Sequence, residues 1–172
     1  MGKKWSFVIC FFLFFLASGN IFALDISIQL VQRSKTDNKI DKIVYSVEDF
    51  VIDRLFDYGY VTSNLSAVAV DSSDNLYDLS RDGVMISYDG RIDCFIMIVM
   101  DIESSQNKKT EAVNLNNVTD VLWTVYDVNS GNEVDSGKIE NIKPNYGSSD
   151  KAVAKLGSDI SGLINEALCN RR

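Results

Sequence analysis

The chain has 172 residues, 46% of them hydrophobic and 24% charged, with 24 acids against 17 lysines and arginines and no histidine. A net charge of −7 argues against nucleic acid or an anionic lipid surface as partner, because both repel an acidic domain. The missing imidazole excludes Ser-His-Asp and Cys-His catalysis and the usual zinc sites, which leaves carboxylate, lysine, tyrosine or oxygen-ligand chemistry.

The sequence opens Met-Gly-Lys-Lys-Trp, runs apolar over residues 5–16 and continues Ala17-Ser-Gly-Asn-Ile-Phe-Ala23. That is a basic n-region, a short apolar h-region and a small residue at a cleavage point. Residues 1–23 therefore read as a signal peptide cut after Ala23, and 24–172 as one exported domain, periplasmic or secreted. The other reading is a retained anchor, in which case this segment is the only membrane contact. Its apolar stretch is short against the roughly 20 residues of a spanning helix. Cys10 follows Ile9 inside the h-region, where lipidation would need a small residue. Cleavage removes two lysines and no acid, leaving 149 residues and a charge of 15 minus 24, or −9. A chain of that size can bury a real core.

Residues 24–32 alternate, with Ile26, Ile28 and Leu30 on one side and Ser27 and Gln29 on the other, as in a strand with one wet face. A charged loop follows over 33–39. Residues 40–58 carry the clearest helical period, in Ile40, Ile43, Val44, Val47, Val51 and Leu55. Asn38 can cap its start, with Asp41 three residues on. Gly59 can take the left-handed turn that ends it. The outer face is assigned Asp41, Lys42, Glu48, Asp49, Asp53 and Arg54. A short strand over 60–63 resumes over 67–70. Residues 71–74 start a second helix, in which Leu76, Leu79, Gly83, Val84 and Ser87 keep helical spacing. Gly83 weakens that helix by about 1 kcal/mol against alanine, but allows close packing on a sheet. Gly90 closes the segment.

The stretch 92–102 has no polar side chain between Cys94 and Met100 except the thiol. It is β-branched and aromatic, and it does not alternate. It therefore reads as a central strand covered on both faces. A polar loop tipped by Lys108 and Lys109 follows. Residues 118–128 and 133–142 flank Asn129-Ser-Gly-Asn132 and read as a hairpin. Residues 143–149, with the single proline Pro144, read as a loop. Ser149 or Asp150 caps a last helix whose buried stripe is Val153, Leu156, Ile160, Leu163, Ile164 and Ala167. The order β-α-β-α-β-β-β-α indicates an α/β (α+β) fold, a mixed sheet of about five strands with three helices.

Four features together resemble the superfamily of the TolB amino-terminal domain, which includes the curli-secretion channel subunit and the lipoprotein activators of penicillin-binding proteins. They are a long helix ending in Asp57-Tyr-Gly-Tyr-Val61, a short helix running into Ile92-Asp93-Cys94-Phe95-Ile96, the hairpin Leu122 to Gly137 with its Asp-Val-Asn-Ser-Gly turn, and a closing amphipathic helix. The resemblance implies a periplasmic protein-binding or assembly role and carries over no catalytic residue or cofactor. The chain departs from it in having no lipid-attachment cysteine at the cleavage point and no β-rich channel insertion.

Several residues invite a site, each beside a plainer reading. Asp49, Asp53 and Asp57 are four apart and share a helix face, either a patch for a cation or basic partner or a solvated surface. Asp71, Asp74, Asp78 and Asp82 suit a calcium loop in spacing, but Leu76 stands where the turn glycine belongs, and capping explains them better. Trp123 and Tyr126, three apart on one strand, face opposite ways. An exposed one beside Tyr146 would make a partner surface, and packing is the plainer role. Cys94 and Cys169 are either a disulfide worth about 4 kcal/mol in the chain-entropy model or two unrelated thiols. Asn64-Leu-Ser66 and Asn117-Val-Thr119 match the glycosylation pattern, which matters only in a host that glycosylates. Asp93 can accept backbone hydrogen bonds in the turn before its strand. The expectation is an exported envelope protein that binds another envelope protein, without catalysis, cofactor or metal. The competing expectation is a small secreted hydrolase or ligand binder built on carboxylates, with two acids converging in a cleft.

Overall fold

A computed structural model describes residues 23–34, 39–71, 74–103, 115–147 and 149–171. The h-region, Asn38, the lysine-tipped loop and Arg172 lie outside them. In chain order the elements are β1 (Asp25–Arg33), α1 (Lys42–Asp57), β2 (Val61–Asn64), β3 (Val68–Val70), α2 (Leu76–Asp89), β4 (Cys94–Ile102), β5 (Val118–Asp127), β6 (Glu133–Ile139), α3 (Ile142–Tyr146) and α4 (Asp150–Asn170). One mixed sheet runs β2-β1-β4-β5-β6, with β3 on the same edge of β1 as β2. β1 is parallel to β2, β3 and β4, while β5 is antiparallel to both of its neighbours, β4 and β6.

β4 is the central strand that its composition predicts, buried from Cys94 to Met100. Period two splits its side chains between two layers. Cys94, Ile96, Ile98 and Met100 join Ile26, Ile28 and Leu30 of β1 in the large core under α1 and α4. Phe95, Met97 and Val99 face the other way, into a smaller cluster with Val31, Leu76, Leu79 and Val84 beneath α2.

That second layer corrects the reading of β1. Its polar face is dry: Ser27 and Gln29 are buried, and Gln32, buried on the opposite face, bonds the chain entering α1 through the Lys39 carbonyl and the Asp41 N–H. Alternation marks a change of chemistry across a strand, and here the polar side is covered by a helix with a matching polar underside. Ser87 of α2 meets Ser27 at 2.5 Å between hydroxyl oxygens, and Ser80, seven residues earlier on the same helix, is also buried. Gly83 lets the helix approach. A Cβ there would fall 2.6 Å from Cε1 and 2.8 Å from Cε2 of Phe95.

The helix ends follow local chemistry. Asp41 caps α1 by accepting from the Ile43 N–H at 3.2 Å, and Gly59 takes φ +89 just past its end. Asn75, one residue beyond the predicted 71–74 start, caps α2 through the Tyr77 N–H. Segment 143–149, read as a loop, contributes most of α3, because Pro144 lies in a first turn where its missing N–H has no helical partner to lose. Leu163, placed in the α4 stripe, is exposed instead. Trp123 lies in the large core over Gly137 of β6, where a Cβ would come within 2.8 Å of the indole.

The edge strand beside β1 is interrupted. Between β2 and β3 the chain leaves the sheet at residues 65–67, and two buried side chains hold the break. The Gln29 amide donates to the Ser66 carbonyl at 3.2 Å. Glu48, assigned outward from its charge, is buried on α1 and takes a hydrogen bond from the Asn64 side chain. Its Oε1 has no partner. Burial, with help from the nearby Asp49 charge, pushes its pKa above the ordinary carboxylate value. The folded state therefore holds that proton more tightly than the unfolded chain does. Stability is reduced above the raised pKa and recovers as pH falls through it toward the ordinary carboxylate value. Glu48→Gln is expected to raise stability by about 1 kcal/mol at pH 7, with the gain shrinking as pH is lowered. Urea melts of both proteins at pH 7 and pH 4.5 check this; a variant less stable than wild type at pH 7 contradicts it.

Candidate functional site

Parallel pairing gathers several element ends at one pole of the sheet. Asp25 pairs with Val61, and Ile26 with Cys94, so the starts of β1, β2 and β4 lie together with the ends of α1 and α2. Asp93 ties this pole together. Its carboxylate accepts from the Asp25 N–H at 3.0 Å, and its own N–H donates back to the Asp25 carbonyl at 3.0 Å. The expected partner was the preceding turn; the true one is a strand 68 residues away. Its carbonyl also accepts from the Val128 N–H at 3.1 Å.

Arg171, just past α4, closes the pole from the side of the large core. Its guanidinium donates to Cys94 Sγ at 2.5 Å and to an Asp127 carboxylate oxygen. Both thiols are free, Cys94 buried and Cys169 exposed. Leu168 and Arg171 turn toward the sheet, and Cys169 lies about 100° away from Leu168 around the helix. Burial raises the Cys94 pKa even though the Arg171 charge opposes it, so this thiol is held protonated and is a poor nucleophile at neutral pH.

Around this framework, large apolar side chains face solvent. Phe56 is 69% exposed, Tyr88 61%, Ile86 55%, Val61 54% and Tyr58 42%. The cores are already complete without them. Between α2 and β4, Arg91 takes φ +58, in the left-handed region that suits glycine better. Beside it opens a shallow cleft of about 420 Å³ lined by Tyr88, Asp89, Arg91, Ile92, Asp93 and Asn129.

The residues singled out from sequence do not form one surface. Asp49, Asp53 and Asp57 are exposed along α1, and Arg54 pairs with Asp57 at 3.2 Å while lying over the Tyr58 ring. Of the three, Asp57 at the end of the helix belongs to the pole just described. Trp123 is buried in the large core, whereas Tyr126 is half-buried on the other face, stacked on Phe95 with centroids 6.0 Å apart. Tyr146 is at the opposite pole, where its hydroxyl donates to Asp159 at 2.7 Å and Lys155 lies over its ring. Burial first, then Asp159, push its pKa well above the usual phenol range. Of the aspartate-rich start of α2, Asn75 supplies the cap and the Asp71 N–H donates to Asp74 at 2.7 Å. Among the described residues, no group of three or more acids or cysteines is placed to hold a metal ion. No helix among them is long and apolar enough to cross a membrane.

The exposed apolar residues were missed, yet a signal existed. Phe56, Tyr77, Met85, Ile86 and Tyr88 all fall off the buried stripes of their helices.

Residues 25–169 match the model of a protein family described as "Uncharacterised protein", and the chain belongs to that family. No curated protein matches the sequence. Among solved structures it is similar to a PelC dodecamer from Paraburkholderia phytofirmans, at 12% identity and TM-score 0.41 over 84% of this chain and 92% of that one. It is also similar to the LpoB C-terminal domain from Salmonella enterica, at 9% and 0.41 over 74% and 89%, and to lipoprotein GNA1162 from Neisseria meningitidis, at 16% and 0.38 over 81% and 94%. These likenesses are weak and concern the fold.

Proposed function

We propose that this member of the family is an exported, non-catalytic module that binds another envelope protein through the pole where β1, β2 and β4 begin. The observation that carries the reading is the exposure of Phe56, Tyr58, Val61, Ile86 and Tyr88 at that pole. Others, such as Tyr45 and Phe50, lie along the helices, and single apolar residues on a surface need no cause, but five gathered at one end of a domain mark an interaction site. The basic and apolar leader over residues 1–23 supports export, with cleavage after Ala23.

A photo-crosslinking phenylalanine analogue placed at position 56 or 88, in the native host, tests the docking. A discrete crosslinked species is expected from both positions and none from Asn145, which is exposed at the far pole. Equal labelling at all three, or none at any, overturns the reading. Sequencing of the mature protein is expected to begin at Leu24.

The second reading, a carboxylate hydrolase or ligand binder, has the open cleft in its favour, with Asp89 and Asp93 as its acids. Asp93 is already committed to the Asp25 backbone, which leaves Asp89 without a free acid partner in that lining.

A further inference from the structure

The outer face of α2 specifies the chemistry of a partner, an inference that rests on the docking role just proposed. Successive helix residues turn about 100°. The buried side holds Leu76, Leu79, Ser80, Gly83 and Ser87. Opposite it, Tyr77, Arg81, Met85 and Tyr88 fall within about 80° of one another. Asp78, Asp82 and Asp89 fall in the adjoining 40° or so, with Ile86 at the margin. Tyr77 is 69% and Met85 60% exposed. The helix thus carries an apolar rail beside an acidic rail along its 14 residues, about 20 Å. Arg81 is the single cation among them. It reaches Asp78 and Asp82 only at 3.8 and 3.7 Å, with all three side chains more than half exposed, so it screens them weakly.

Charge selects among the surfaces that could cover this face. A second copy would set aspartates against aspartates, and the chain as a whole carries −7. A bilayer surface of anionic lipid is repelled for the same reason. A helix with leucines or isoleucines along one side and lysines or arginines next to them satisfies both rails at once. Helix-on-helix packing matches a straight stripe of this length. Met85, unbranched and central, adapts to the residue it meets. The rail also ends at Tyr88 and Asp89, inside the lining of the polar cleft, so the face is continuous with the docking pole. We propose that α2 receives a cationic amphipathic helix of a partner protein along Tyr77, Met85 and Tyr88, with Asp78, Asp82 and Asp89 pairing its basic side chains.

The test is fluorescence anisotropy on the full exported protein with three labelled synthetic 16-residue peptides. One is an amphipathic leucine–lysine helix, the second has the same composition scrambled to destroy the stripe, and the third replaces lysine by glutamate. The first is expected to bind at least ten-fold more tightly than either of the others. Asp78→Asn with Asp82→Asn should weaken it about ten-fold and flatten its salt dependence. Met85→Ser with Tyr88→Ser should weaken it similarly with the salt dependence kept. All four positions are exposed, and circular dichroism confirms that the variants fold. Equal binding of the scrambled peptide, or affinity unmoved by either double variant, overturns the proposal. If the leucine–lysine peptide fails to bind while crosslinks still form at positions 56 and 88, the helix chemistry is wrong and the docking role stands. If both fail, both are wrong.

Discussion

Gly83→Val is expected to destabilise the protein by about 3 kcal/mol, although valine is the better helix former. Intrinsic propensity alone favours a side chain here: glycine costs a helix about 1 kcal/mol against alanine. The structure reverses the sign. The Phe95 ring fills the space where a Cβ would go, with ring carbons 2.6 and 2.8 Å from that position. Phe95 is fully buried between α2 and Tyr126, so its ring cannot swing into solvent. Either the helix lifts off β4 or the ring leaves its rotamer, and overpacking of this kind costs about 1–3 kcal/mol. Gly83→Ala should lose about 1–2 kcal/mol and Gly83→Val more, because its branched methyls have nowhere to go. Pairing Gly83→Ala with Phe95→Leu should recover part of the loss, a coupling that urea melts of the double-mutant cycle measure. An alanine variant more stable than wild type would show that the helix is not pressed on the ring.

Ile98→Asp is expected to abolish folding. Ile98 is fully buried at the middle of β4, opposite Leu30 on one neighbour and Trp123 on the other, beneath α1 and α4. Arg171 reaches that core only at Cys94, four residues before Ile98 on the strand, so the carboxylate would be buried without a partner. Domains of this kind are stable by only about 5–15 kcal/mol in total, and an uncompensated buried charge takes a large part of that. Ile98→Val, which deletes one methyl, should cost about 1 kcal/mol, and Ile98→Ala about 3–4 kcal/mol. Far-ultraviolet circular dichroism and a urea melt rank the three. A cooperative transition near the wild-type midpoint for Ile98→Asp would mean that β4 is not sandwiched.

β4 was legible from sequence because burial on both faces leaves a run with no polar side chain, which is hard to place anywhere else. Its neighbour β1 was half legible. Ser27 and Gln29 look wet by composition, and only the facing Ser80, Gly83 and Ser87 of a helix 50 residues later make that side dry. Glu48 is the converse case. It stands four residues after Val44 and three before Val51, inside the buried stripe, so its spacing points inward, and the outward assignment followed its charge instead. The broken edge was legible in outline, as a run over 60–63 that resumes over 67–70, and its two pieces, β2 and β3, bring the sheet to six strands. The pole carrying the exposed apolar residues depends on strand pairing, which decides that Phe56 and Tyr88 share an end while Tyr126 and Tyr146 do not. Side-chain spacing along single elements holds no such information.

The gap at residues 65–67 bears on how the protein behaves in a crowded compartment. A sheet border with an uninterrupted row of amides is a template on which other chains polymerise. Here one border is split into runs of four and three residues. The other, β6, carries Glu133, Asp135 and Lys138 at exposed positions. Neither offers a long neutral ribbon, so Gln29 and Glu48, buried at the break and the second of them at a cost in stability, also shield the fold from fibril growth.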